Sequence, residues 1–236
     1  MIYCIGNSHL NTFSFTSGFA NFRFSSCKNI AFFHLGPVIA YNFYEKHFPK
    51  VREKILPKVN KEDDYLLFVV GEVDCRLHIP KQADIQRRCD EEIVEECVSR
   101  FSRIYDILQG YKILVFGTHP TTTEAHSMED MSRPIYDSMQ RRNSICVLWN
   151  NYMEKTAQKR GFPFFSIYSD LVDSQNSTKM EYFMDYCHLD SMKVKPFILR
   201  EFKKMGINLF NSSSGKVEQN FPLSIITNLE DFDEEI

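Results

Sequence analysis

The chain carries no surplus of positive charge. Its 28 lysines and arginines are outnumbered by 31 aspartates and glutamates, a net charge of −3 over 236 residues. No basic stripe is therefore present to neutralise phosphates, which argues against a nucleic-acid partner. Long hydrophobic runs are missing too. The longest apolar stretches, such as YLLFVV at 65–70, fall far short of the roughly 20 residues a membrane helix needs. The N-terminus lacks the basic and apolar regions of a signal peptide. The expected location is the cytoplasm, with no membrane partner. The seven cysteines (Cys4, Cys27, Cys75, Cys89, Cys97, Cys146 and Cys187) are odd in number and scattered, with no CxxC knuckle. They read as reduced thiols, and no metal site is expected. A glycine-rich phosphate cradle is absent as well: IGNSHLNTF has one glycine and no more, so a nucleotide or flavin binder is disfavoured and no cofactor is expected.

What remains is material for one core. With 43% hydrophobic residues, the length favours a single domain over residues 1–210. Residues 211–236 form a separate extension, opening with a Ser/Gly linker and closing on an acidic run. Its FPLSIITNL segment is apolar enough to dock on the body or on a second subunit, which leaves homo-oligomerisation open.

Short runs rich in β-branched and aromatic residues recur at 2–6, 29–35, 65–71, 112–118 and 164–167, the pattern of strands buried on both faces. Helical periodicity lies between them. Ile85, Cys89, Ile93, Cys97, Phe101, Ile104 and Leu108 predict one helix over 83–109, with Gly110 behind it. Two more helices are predicted over 137–160 and 191–205, the start of the last complicated by Pro196, which suits only a first turn. Strand and helix in alternation imply right-handed crossovers. The expected fold is a three-layer α/β/α sandwich on a mostly parallel, flavodoxin-like five-stranded sheet.

In such a sheet ligands bind beyond the carboxyl ends of the strands. Gly6-Asn7-Ser8-His9, Leu35-Gly36-Pro37, Gly71 to Arg76 and Thr118-His119-Pro120 all follow strands and should meet on one rim. His119 opens a polar stretch of about twenty residues, long enough to suggest a lining for the substrate pocket. DYCHLD at 185–190 precedes the last helix and can return to the same place. Asp185 and His188 lie three residues apart, close enough for one loop to present both. A serine hydroxyl needs a base to take its proton, and a histidine whose tautomer is fixed by a carboxylate supplies one. Ser8, His188 and Asp185 then read as nucleophile, general base and orienter. As a bland alternative, Ser8 could simply cap the helix that follows.

IGNSH, LGP, GEVD and DYCH, in that order, resemble the blocks of the SGNH (GDSL-like) hydrolase superfamily across most of residues 1–205. The resemblance implies a flavodoxin-like sheet and an esterase or acyl hydrolase. It assigns the nucleophile and an oxyanion N–H to Ser8, a second N–H to Gly36, and the remaining catalytic roles to Asp185 and His188. Two positions depart from the pattern. Asn7 replaces the usual aspartate, and Val73 stands where the family has an asparagine that donates to the oxyanion. Valine cannot donate, and losing one such donor costs about 10²–10³ in turnover. Arg76 is the leading candidate to replace it and His78 the next, both just beyond a strand end.

The expected activity is hydrolysis of an ester through an acyl-Ser8 intermediate. By resemblance the substrate is an O-acyl, acetyl-like group on a carbohydrate or glycoconjugate. Asn7, His9, Glu72, Asp74, His78 and His119 are expected on the substrate rim. Glu72, Asp74 and Arg76 could equally form an ion-pair network that braces it. An O-acyltransferase using the same residues is a close variant, and a non-catalytic binding module on a hydrolase scaffold is the competitor that Val73 favours.

Overall fold

A computed structural model describes residues 1–17, 29–122 and 135–209. The 211–236 extension, and most of the polar stretch that begins at His119, lie outside the described residues.

Five strands form one parallel sheet in the order β2-β1-β3-β4-β5: β1 Ile2–Gly6, β2 Ile30–His34, β3 Tyr65–Val69, β4 Lys112–Phe116 and β5 Phe164–Phe165. The period-2 alternation of strand side chains divides each strand between two apolar layers. Tyr3, Ile5, Leu66, Phe68, Ile113 and Val115 enter one core, while Ile2, Cys4, Leu67, Val69, Leu114 and Phe116 enter the other. This two-sided burial explains why the strands read as continuous apolar runs.

The first core is covered by α1 Phe43–Lys46, α2 Phe48–Lys54, α3 Ile79–Gln86, α4 Asp90–Ile107 and α5 Met139–Arg160. A 3₁₀ segment, Ser8–Phe13, and α6 Ser191–Lys204 cover the second. The result is the three-layer α/β/α sandwich. Among the described residues, no helix is long and apolar enough to cross a membrane.

The 83–109 expectation is corrected, because two helices occupy that stretch. Arg87 adopts φ 54° and ends α3, and Cys89 caps α4, its N–H donating to Glu92 Oε2 at 3.0 Å. The apolar spacing ran through the break by coincidence, since Ile85 is 64% exposed and belongs to no buried face. Helix α5 starts at Met139, after the Ser138 cap, rather than at 137. Helix α6 begins at Ser191 on an Asp190 cap and carries Pro196 inside, where the missing N–H leaves the Met192 carbonyl without its helical donor.

Two glycines set the rim. A Cβ on Gly6 would lie 2.1 Å from the Val69 carbonyl oxygen, so β1 and β3 approach this closely only with glycine there. Gly71 turns the chain at φ 103°, and a Cβ on it would meet the buried Trp149 ring at 2.6 Å. Both lie where the sheet order reverses between β1 and β3, the switch point at which this topology opens a crevice.

Candidate active site

Ser8 follows β1 directly and begins the 3₁₀ segment. Asn7, not Ser8, caps that segment: Asn7 Oδ1 accepts from His9 N at 3.1 Å. The capping alternative for Ser8 is thereby removed. Its Oγ instead lies 2.8 Å from His188 Nε2.

His188 is carried by a loop with its own closure. Phe183 and Leu189 pair as an antiparallel bridge, and Met184 N donates to the His188 carbonyl at 3.0 Å. Inside the loop, Asp185 Oδ1 accepts from Cys187 N at 2.8 Å and from His188 N at 2.6 Å, while Oδ2 lies 2.7 Å from His188 Nδ1. The three-residue spacing allows this because the chain folds back over the Asp185 carboxylate. Polar ties hold the loop against the nucleophile. Asn11 Nδ2 reaches the Leu189 carbonyl at 3.5 Å, and Ser14 Oγ lies 3.0 Å from Ser191 Oγ.

Burial works against charge on Asp185, but the His188 ring and two backbone N–H groups outweigh it and hold the carboxyl well below its ordinary range. An ionised Asp185 puts the His188 proton on Nδ1. Nε2 is then a lone pair facing the Ser8 hydroxyl, the arrangement a general base requires.

A second histidine–carboxylate pair lies beside the first. His9 Nε2 is 2.7 Å from Glu72 Oε2. Glu72 Oε1 accepts from Arg76 Nε at 2.7 Å. Against the cost of burial, Arg76 and His9 hold the Glu72 carboxyl well below its ordinary range. On its other side His9 Nδ1 lies 3.0 Å from His119 Nε2, and His119 Nδ1 lies 2.8 Å from the Pro120 carbonyl. A carbonyl only accepts, so Nδ1 of His119 carries the proton and its Nε2 accepts from His9. Burial first, then repulsion from His9, lowers the His119 pKa to about 3 and keeps the ring neutral. The His9 and His188 rings lie 4.9 Å apart at 31°.

The expected rim is redistributed by these contacts. Asn7, His9, Glu72 and His119 do converge beside Ser8, but all four are buried and engaged within the protein. Asp74 is a loop brace: its carboxylate accepts from Ala40 N at 2.8 Å and Tyr41 N at 3.3 Å, behind the turn that carries Gly36 at φ 79°. Burial, opposed by those two bonds, raises its pKa to about 7. The His78 ring lies 5.0 Å from Tyr41, tilted at 46°, and lines a small groove with Gln82, Gln86, Ile93 and Glu96, none of them a triad residue. Arg76 is buried with its Nε committed to Glu72, so the ion-pair alternative describes it better than a bare oxyanion donor.

Two residues that sequence reasoning passed over support the site from α5. Buried Arg142 donates to Thr121 Oγ1 at 3.1 Å and to the Thr122 carbonyl at 2.6 Å, and also bonds the Asp137 carbonyl. Asn143 Oδ1 accepts from Thr121 N at 2.9 Å. Thr122 Oγ1 in turn bonds the Tyr186 carbonyl in the triad loop. A signal existed: Arg142 continues the stripe of Cys146, Trp149 and Met153 at helical spacing, where a polar residue must have partners. The sequence offers Cys187/His188, like Cys75/His78, as soft and borderline metal ligands near the rim, but without the repeated spacing of a zinc motif. Cys187 Sγ is 3.2 Å from His188 Nδ1, and Asp185, Cys187 and His188 place one potential metal-ligand atom each within 4.8 Å of one another.

No family model matches the chain, and no curated protein matches it. Solved structures do. A gut microbial diltiazem-metabolizing enzyme superposes with TM-score 0.55 at 16% identity, over 86% of this chain and 46% of that one. A GDSL-like lipase of Bacteroides thetaiotaomicron gives 0.52 at 13%, over 87% and 88%. An acetyl xylan esterase gives 0.51 at 13%, over 88% and 100%. The chain has the SGNH-hydrolase fold. In this fold Ser8 sits after the first strand and the Asp185/His188 loop just before the last helix.

Proposed function

We propose that the chain is a serine-dependent ester hydrolase acting through an acyl-Ser8 intermediate. The observation that carries this reading is the continuous relay from Ser8 Oγ to His188 Nε2 at 2.8 Å and from His188 Nδ1 to Asp185 Oδ2 at 2.7 Å. His188 takes the Ser8 proton as Oγ attacks the ester carbonyl, Asp185 stabilises the imidazolium, and His188 then protonates the leaving alcohol. Water repeats the sequence on the acyl-enzyme. The Ser8 and Gly36 N–H groups serve the oxyanion. The buried cluster around Glu72 supplies electrostatic support where Val73 offers no donor.

The substrate reading is an O-acyl group, acetyl-like in size, on a carbohydrate or glycoconjugate, with no cofactor and in the cytoplasm. Its support is the SGNH resemblance, together with likeness to a fold that an acetyl xylan esterase also uses. Val73 favours one competitor, a binding module that has lost turnover. The test is hydrolysis of p-nitrophenyl acetate and butyrate by wild type, Ser8→Ala and His188→Ala, with circular dichroism verifying the fold of each. Turnover by wild type alone is expected. A folded wild type no faster than either variant overturns the hydrolase reading in favour of the binding module.

A further inference from the structure

We propose that Asp185, Cys187 and His188 form an inhibitory site for a thiophilic divalent cation such as Zn²⁺, which switches off the Ser8 relay by reversing the tautomer of His188. The inhibitory consequence rests on the hydrolase reading; the binding does not.

The donor set is one carboxylate oxygen, one sulfur and one imidazole nitrogen, the mixture that suits zinc and its neighbours better than magnesium or calcium. The three atoms already converge. Oδ2 of Asp185 and Sγ of Cys187 lie 2.7 and 3.2 Å from His188 Nδ1, and all three atoms fall within 4.8 Å of one another. A tetrahedral zinc ion bound at about 2.0–2.3 Å needs its ligands roughly 3.3–3.6 Å apart. The nearest pairs therefore open by roughly half an ångström, within the reach of side-chain torsions in a short loop. Access exists on the Asp185 side, whose side chain is 29% exposed while His188 is 2% exposed.

Binding has a definite proton balance. The Cys187 thiol releases its proton to solvent and becomes the thiolate ligand. The His188 proton leaves Nδ1, where the metal bonds, and the neutral ring carries it on Nε2 instead. One cation enters and one proton is released. Nε2, formerly the acceptor for Ser8, becomes a donor, and Asp185 is drawn from the ring to the metal. Both changes remove the base from Ser8 without moving the backbone.

The experiment titrates Co²⁺ into the reduced full-length chain and records the thiolate-to-cobalt charge-transfer absorption, for wild type and Cys187→Ala. Imidazole ¹⁵N spectra with Zn²⁺ report the tautomer, and ester turnover is followed with Zn²⁺ and then with a chelator. The expected result is a charge-transfer band in wild type that Cys187→Ala abolishes, and a His188 ring metallated at Nδ1 and protonated at Nε2. Zn²⁺ should stop turnover reversibly, and Cys187→Ala, measured against its own metal-free rate, should need about 10- to 100-fold more metal for half-inhibition. No band in wild type, an unchanged band in Cys187→Ala, or a bound His188 still unprotonated at Nε2 overturns the proposal. If no ester is hydrolysed under any condition, the hydrolase reading falls, while the band and the nitrogen shifts still decide the metal site.

Discussion

Two histidine–carboxylate pairs lie side by side in this molecule, and they end differently. His188 and Asp185 meet at 2.7 Å, as do His9 and Glu72. The far nitrogen of His188 faces a serine hydroxyl at 2.8 Å, whereas the far nitrogen of His9 faces His119 at 3.0 Å, which in turn is satisfied by a backbone carbonyl. The first relay stops at a group that can leave the protein's own bonding and attack a substrate. The second is closed on itself. A buried histidine with a carboxylate partner is thus a base only when its other nitrogen is turned toward a reactive atom; otherwise it is a cross-link that sets the local field.

The largest expected effect separates the pairs by activity. Asp185→Asn should lower kcat by about 10⁴-fold while leaving the fold intact, because the amide no longer fixes the Nδ1–H tautomer. Steady-state kinetics beside a denaturant curve checks this. A loss of less than tenfold would mean that the two pairs do not differ as described.

Stability should sort them the other way. Glu72 is buried between Arg76 and His9, so Glu72→Gln leaves two cationic or polar partners without a counter-charge and should cost about 3–5 kcal/mol. Chemical denaturation measures it. The double variant Glu72→Gln/Arg76→Met should recover part of the loss, since a buried charge is no longer left alone. An unchanged midpoint in Glu72→Gln would make the second pair a loose contact rather than a cross-link.

The legibility of the two pairs in the sequence follows the same division. Asp185 and His188 share one short loop, so spacing alone predicted their meeting, and Ser8 was placed by strand order. His9, Glu72 and His119 follow three different strands, and no spacing says that their side chains turn inward to one another rather than outward to a ligand. The strands were readable because burial on both faces makes them unbroken apolar runs. The break at Arg87 was not, since nothing in the i, i+4 pattern distinguishes exposed Ile85 and Cys89 from the buried residues that follow from Ile93. Asn7 and Ser8 are both good caps by type, and only the geometry assigns the cap to Asn7.

The pH dependence of stability sharpens the comparison further. Glu72 and Asp185 have lowered pKa values, so each contributes stability that is complete above the ordinary carboxylate range and is lost as pH falls through its folded value. His119, lowered to about 3, also opposes acid: below about pH 6.5 the unfolded chain takes a proton that the folded ring refuses. Asp74 runs in the reverse direction. Raised to about 7, it is most favourable when protonated, below the ordinary carboxylate range, and loses that contribution as pH rises toward 7. Asp74→Asn should therefore gain on wild type across that window, by up to about 1.4 kcal/mol per pH unit. Thermal midpoints of the two proteins at pH 5 and pH 7.5 check the sign. A variant that loses ground on wild type between pH 5 and pH 7.5 would overturn it.

The smallest effect concerns the residue that joins the two pairs. Asn7 caps the 3₁₀ segment through His9 N, fixing the backbone between Ser8, which belongs to the open relay, and His9, which belongs to the closed one. Asn7→Ala should cost about 1 kcal/mol of stability, the usual worth of a cap. Asn7→Ser should return most of it, because a hydroxyl reaches the same N–H. If the cap only stabilises, both variants keep full turnover once folded. If it also holds Ser8 Oγ on His188, Asn7→Ala lowers kcat without changing KM and Asn7→Ser restores it. That split would show the two histidine pairs depending on one backbone turn.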